Sequence, residues 1–203
     1  AKQYLNLPVS VVTDEQSIGD RYKDWFDKII INDISQSSTK KQYYNGAKTH
    51  SVLEFKNDNR CLAYDLSPYD ETIMLDSDYV IADDIFKNCF DSAYDFLLYK
   101  DAIDICSHRE TKEFTHISET SVDFYWATCV FFRKTELNKR FFNLIKHIQE
   151  YYTHYRKVYN IQSTTYRNDF AFSIAIHMMN GFKQGDFAKR MPGKLFFTAD
   201  RDI

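Results

Sequence analysis

The sequence predicts an α/β fold: a single domain with a mostly parallel sheet flanked by helices. Three observations carry the expectation. Short β-branched or apolar runs at 7–13, 28–32 and 71–75 alternate with polar or helix-period segments, the order that builds strand–helix–strand units. Each run is followed by an acidic residue (Asp14, Asp33 and Asp76), which places carboxylates at the edge where ligands bind in doubly wound sheets. The 203 residues are 44% apolar and 27% charged, enough to fill one large core and too apolar for a disordered chain.

Each element has a local reason. Residues 7–13 form a short buried strand by β-branched content, and 17–26 read as a helix or long turn. Three consecutive isoleucines make 28–32 a second strand. The Ser/Thr/Lys-rich stretch 35–46 reads as a mobile or ligand-ordered loop. Residues 59–66 read as a helix that must stop before Pro68. The third strand, 71–75, runs into Asp76, Ser77 and Asp78, with 79–82 continuing extended and Asp83 or Asp84 capping a short helix. Segments 96–99 and 103–107 are strand candidates, and 122–133 is a long apolar strand. Thr135 caps a helix to about residue 152, and 168–179 is a further helix ended by Asn180 and Gly181.

Composition excludes several classes. The net charge of −3 argues against a nucleic-acid protein with a general basic surface, though not against a local phosphate site. No apolar run reaches the ~20 residues of a membrane span, and the amino end lacks a signal-peptide pattern. Five glycines and three prolines exclude collagen-like and linker-rich chains. Cys61, Cys89, Cys106 and Cys129 have wide, irregular spacing, so they read as buried thiols of a reducing compartment, which predicts a cytoplasmic protein. The six histidines do not cluster, and there is no Gly-rich phosphate loop or Ser-His-Asp arrangement.

Asp76-Ser77-Asp78 is the sharpest motif. On an extended segment alternate side chains share a face, so both carboxylates would present hard oxygen ligands to Mg²⁺ or Mn²⁺ carrying a diphosphate. The bland alternative is a turn with helix-capping carboxylates. Arg60 offers charge-assisted bonds to a diphosphate, or pairs with a nearby Asp on a helix surface. Asp169 is either a helix N-cap or a carboxylate that orients or deprotonates a hydroxyl. Trp126 is either a core ring or a pocket wall. Tyr151, Tyr152, Tyr155 and Tyr159, with Arg156, Lys157 and Arg167, read first as a packing face and second as a carbohydrate or phosphate rim.

The stretch 69–81, with its Asp76-Ser77-Asp78 strand end, resembles the metal strand of nucleotide-sugar glycosyltransferases of the glycosyltransferase-A fold, in the glycogenin and lipopolysaccharide-galactosyltransferase style. Residues 7–14 with 26–30, 59–64, 126–134 and 168–172 are similar to further elements of that family in the same order. The resemblance covers roughly residues 5 to 182 and implies a single Rossmann-like domain whose first strand lies upstream of this chain. It implies Mn²⁺ or Mg²⁺ held by Asp76 and Asp78. Arg60, Asp14 and Trp126 would line the nucleotide-sugar pocket, with Asp169 and Asp76 in catalysis. Its donor would be a nucleotide-sugar, UDP-sugar first, and its acceptor a carbohydrate or other hydroxyl. Where that family carries Asn-Ser-Gly and Asp-Gln, this chain has Trp126-Ala127-Thr128 and Asp169-Phe170, and no late histidine supplies a third ligand. A nucleotidyltransferase and a non-catalytic binding module on a related fold are the alternatives.

Overall fold

The computed structural model describes residues 2–15, 17–32, 39–44, 50–55, 58–105, 115–119 and 122–197. Asp33, Cys106 and His108 fall outside the described residues. In chain order the elements are α1 (Lys2–Leu5), β1 (Ser10–Thr13), α2 (Asp20–Lys23), β2 (Lys28–Ile31), β3 (Thr39–Tyr44) and β4 (His50–Phe55). A 3₁₀ turn (Asp58–Leu62) leads into α3 (Ala63–Leu66), β5 (Glu71–Leu75), α4 (Lys87–Phe90), β6 (Phe96–Tyr99) and β7 (Ala102–Asp104). Then follow β8 (Trp126–Arg133), α5 (Glu136–Glu150), α6 (Tyr152–Val158), α7 (Asn168–Met179), β9 (Lys189–Arg190) and β10 (Leu195–Phe197). The chain is thus mixed α/β.

The largest sheet has the order β5–β8–β6–β9. β8 runs antiparallel to both β5 and β6, and β9 runs parallel to β6. The remaining pairs are β1 with β2 and β7 with β10, both parallel, and the antiparallel hairpin β3–β4. This corrects the expected mostly parallel sheet. β5 and β6 point the same way, with α4 between them in sequence, and β8 inserts between them from the opposite direction. Apolar periodicity fixes which residues are strand but carries no strand direction, which depends on how each connection crosses the sheet.

β8 is the spine. Its Cys129, Val130, Phe131 and Phe132 are fully buried. α5 covers the sheet because Phe141, Phe142, Ile145 and Ile148 recur at helical spacing on one face. Its start is fixed as expected: Thr135 Oγ1 accepts from the Asn138 amide at 3.2 Å. Phe96 and Phe141 meet edge to face at 4.6 Å, Phe132 and Phe142 at 4.9 Å, and Phe141 and Phe172 at 5.5 Å. α7 is buried along most of its length, so its sequence is apolar nearly all round, and it ends at Gly181 with φ of 73°.

Several expectations shift. The helix read over 17–26 shrinks to α2, and that over 59–66 becomes a 3₁₀ turn followed by α3. The helix beginning after Thr135 breaks at Tyr151, and α6 restarts it. The loop read over 35–46 contains β3, paired in register with β4 from Thr39 opposite Phe55 to Tyr44 opposite His50.

Candidate functional site

The site is built around the first residues of β8. Arg60, at the 3₁₀ turn, donates one guanidinium nitrogen to the Ala127 carbonyl and another to Asp76 Oδ1. From the other side Asp169 Oδ1 accepts the Ala127 amide at 2.9 Å, and its Oδ2 accepts from Arg167 at 2.7 Å. Residue 127 therefore anchors both carboxylates, its carbonyl through Arg60 and its amide directly. Alanine suits this place, because the position is fully buried and flanked on both sides.

Secondary contacts hold these groups in place. Asp76 donates its own amide to the Thr128 carbonyl at 3.1 Å. The Tyr79 hydroxyl lies 3.1 Å from Thr128 Oγ1, tying the segment after the acidic pair back onto β8. Ser173 Oγ, fully buried, donates to the Asp169 carbonyl at 2.7 Å and accepts the Tyr125 amide at 2.9 Å. Burial lowers the Arg60 pKa, while Asp169, Tyr79, Tyr166 and Asp78 act in the opposite direction. Burial also pushes the Tyr79 hydroxyl well up, so it stays protonated at physiological pH.

Of the residues singled out from sequence, Arg60, Asp76 and Asp169 converge on Ala127, although 109 positions separate Arg60 from Asp169, and Asp78 lies in the turn that follows Asp76. Two details are corrected. Asp76, Ser77 and Asp78 lie in a turn rather than an extended segment, since the Tyr79 amide donates to the Asp76 carbonyl at 3.2 Å. Asp169 is not the N-cap of α7; Arg167 holds that position, and the Asp169 carboxylate reaches across to β8. Trp126 starts β8 beside the site, but the residue is only 8% exposed and its ring packs edge-on against Phe124 at 5.4 Å, which is its core reading. Asp14 stands at the end of β1 and closes the loop there: its carboxylate accepts the Ser17 amide at 2.8 Å and the Ser17 hydroxyl at 2.7 Å. Lys40 and Lys41 lie in β3.

Thr128, Tyr79 and Ser173 are neighbours of the site that the motif search passed over, and Arg167, read from sequence as part of a packing face or a carbohydrate or phosphate rim, is the partner of Asp169. Nothing in the local sequence around Thr128, Tyr79 or Ser173 marks them, because their roles arise from contacts across the fold.

Among the described residues no group of three His, Cys, Asp or Glu side chains is placed to hold a metal. Asp76 carries Arg60 as its partner, with 28% of its side chain exposed against 9% for the arginine. Mg²⁺ usually takes one or two carboxylates and completes its shell with substrate phosphate and water. Asp76 and Asp78 do not by themselves form a closed protein cage. Comparison with protein-family models, with curated proteins and with solved structures returns no match.

Proposed function

We propose that this protein is a metal-dependent glycosyltransferase of the glycosyltransferase-A type. It would transfer a sugar from a nucleotide-diphosphate donor, UDP-sugar first, to a carbohydrate or other acceptor hydroxyl in a reducing, cytoplasmic setting. One observation supports this reading above the others: Arg60, Asp76 and Asp169 come from three separate elements and gather at the start of one buried strand, with Asp78 in the turn just after Asp76. Such placement supplies a cation for a leaving diphosphate and a carboxylate for an acceptor at one locus.

In this reading Arg60 donates charge-assisted bonds to the diphosphate as the glycosidic bond to it breaks. Asp76 and Asp78 would hold Mn²⁺ or Mg²⁺, which supplies Lewis-acid stabilisation of the departing diphosphate. Asp169, fixed by the Ala127 amide and Arg167, orients or accepts the proton of the acceptor hydroxyl. Tyr79 and Thr128 keep the acidic turn against β8.

A second reading has its own support. Arg60–Asp76 and Arg167–Asp169 are mutually satisfied pairs, as in a purely structural ion network of a non-catalytic module. Melting curves with UDP and UDP-sugars, with and without Mn²⁺, separate the two. Glycosyl transfer requires stabilisation only when both are present, about 2.7 kcal/mol at a hundred times the dissociation constant. Asp78→Asn should remove that increment and leave apo stability nearly unchanged. Absence of any shift with every nucleotide and metal pair leaves the structural reading. A shift by free nucleoside triphosphates and not by nucleotide-sugars points to nucleotidyl transfer.

A further inference from the structure

β9 lies on the far side of β6 from β8 and pairs with it through Lys189 and Arg190. β10 pairs with β7 through Leu195–Phe197. Between these two short ladders, residues 191–193 bridge β6 and α4. On the β6 side the Met191 amide donates to the Leu98 carbonyl at 3.1 Å, and the Tyr99 hydroxyl donates to the Pro192 carbonyl at 2.9 Å. On the α4 side the Cys89 thiol donates to Met191 Sδ at 3.6 Å, with both residues buried. Gly193 has a φ of 79°, and a Cβ there would stand 2.8 Å from Ile85 Cδ1. Glycine suits the position twice over, for the left-handed backbone and for the close approach. Ile85 ends the segment that begins at the acidic turn. That segment is held at its near end by the Tyr79 hydroxyl on Thr128 Oγ1 and at its far end by Ile85 on Gly193. Between the two anchors Val80, Ala82, Asp83 and Asp84 are exposed.

We propose that residues 189–195 form a releasable strap. Seated, it clamps Ile85 and Cys89 and so holds the segment that runs from the acidic turn into α4. Lifted, it frees that segment while the β8 spine stays folded. Two short ladders open at lower cost than β8, whose eight residues carry a partner strand on each edge. The strap stands whatever ligand the site takes, so it does not depend on the glycosyltransferase reading.

Cys89 reports the strap and Cys129, fully buried in β8, reports global unfolding. Burial pushes the Cys89 thiol up to about 12 from 9.0, so it is inert while covered. The native protein is treated with iodoacetamide, and labelling of each cysteine peptide is followed by mass spectrometry and scaled to its rate in denaturant. Cys89 should label faster than Cys129, by on the order of tenfold or more. Gly193→Ala should speed Cys89 labelling by about fivefold or more, from the left-handed backbone alone, and leave Cys129 unchanged. Hydrogen exchange of residues 80–90 should rise with it, and that of residues 126–133 should not. Gly181→Ala is the control: its φ of 73° carries the same strain, but no described atom lies within 4 Å of the added Cβ, and Cys89 labelling should not move. Tyr99→Phe deletes only the bond to Pro192 and should speed Cys89 labelling by about 2–10-fold, which carries the test if Gly193→Ala does not fold. Equal scaled rates for Cys89 and Cys129 in the unmodified protein overturn the strap. So does faster Cys89 labelling in a folded variant without faster exchange of residues 80–90, since the strap would then cover Cys89 without holding the segment.

Discussion

β8 and the β1–β2 pair are both apolar-rich strands and end in opposite states. In β8 six of eight residues are buried, and both edges carry a partner strand. In β1 and β2 none is buried, and Val12 and Ile31 remain 48% and 45% exposed. β-branched residues in β1 and β2, and aromatic ones in β8, favour extended chain in each; burial depends on what covers them. β8 has β5 and β6 at its sides and the phenylalanines of α5 and α7 against it. β1 and β2 form a two-stranded parallel pair, where a parallel sheet ordinarily has both faces covered. The candidate site draws its anchors from the β8 side, which holds a charged constellation to tolerances that a half-exposed pair does not offer.

The largest test of this contrast is a truncation in the spine. Phe132→Ala or Phe141→Ala should each cost about 3–5 kcal/mol in denaturant unfolding. A loss below about 1 kcal/mol would show that the aromatic layer is not tightly packed, and the contrast would fail.

A smaller effect is expected where the spine meets the site. Asp169→Asn keeps an acceptor for the Ala127 amide but leaves Arg167 without its carboxylate, so stability should fall by about 1–3 kcal/mol. Because Asp169 is not the α7 cap, loss of capping plays no part. Under the proposed function, glycosyl transfer should drop by at least ~10²-fold while nucleotide binding persists. Near-normal transfer by a folded Asn variant would remove Asp169 from the chemistry and leave it as a brace.

Alkaline pH probes the same buried region through titration. Burial pushes the Cys89 thiol up to about 12 from 9.0 and the Tyr125 and Tyr152 hydroxyls up to about 12 from 10.0. The unfolded chain therefore releases these protons first and binds fewer than the folded chain above pH 9. Stability is fully retained below that pH and falls as pH rises from about 9 to 12, with each group contributing at most about 1.4 kcal/mol per pH unit. Equilibrium unfolding from pH 8 to 11 checks the sign; a flat profile would mean these groups ionise in the native state. At the small end, Val12→Ala on the exposed pair should change stability by no more than about 0.5 kcal/mol.

Much of this was legible in the sequence because local signals agree with tertiary placement. The bounds of β5, β6 and α7 match their apolar runs, and Thr135 marks the start of α5. Arg60, Asp76, Asp78 and Asp169 were recognisable by residue type and position. Their mutual geometry was not, because a turn rather than a strand carries Asp78, and an ion pair joins groups that periodicity treats separately. β3 was masked by its Lys-Lys-Gln polarity, although its strand pairing satisfies backbone groups whatever the side chains. Strand direction stayed hidden for the same reason that β8 is central: it follows from long-range connection, not from local pattern.

The central ladder also sets an order of events during synthesis. Glu71 and Arg133, opposite one another across β5 and β8, are 62 positions apart in the chain. At about 5–20 residues per second, a nascent β5 waits roughly 3–12 seconds for its partner to emerge. Through that interval the Thr-Ile-Met-Leu edge offers unpaired amides and carbonyls to any neighbouring chain, as an aggregation-prone template does. Crowded, rapid expression should therefore favour insoluble protein, and slower synthesis at low temperature should raise the soluble fraction without any change in the stability of the finished fold.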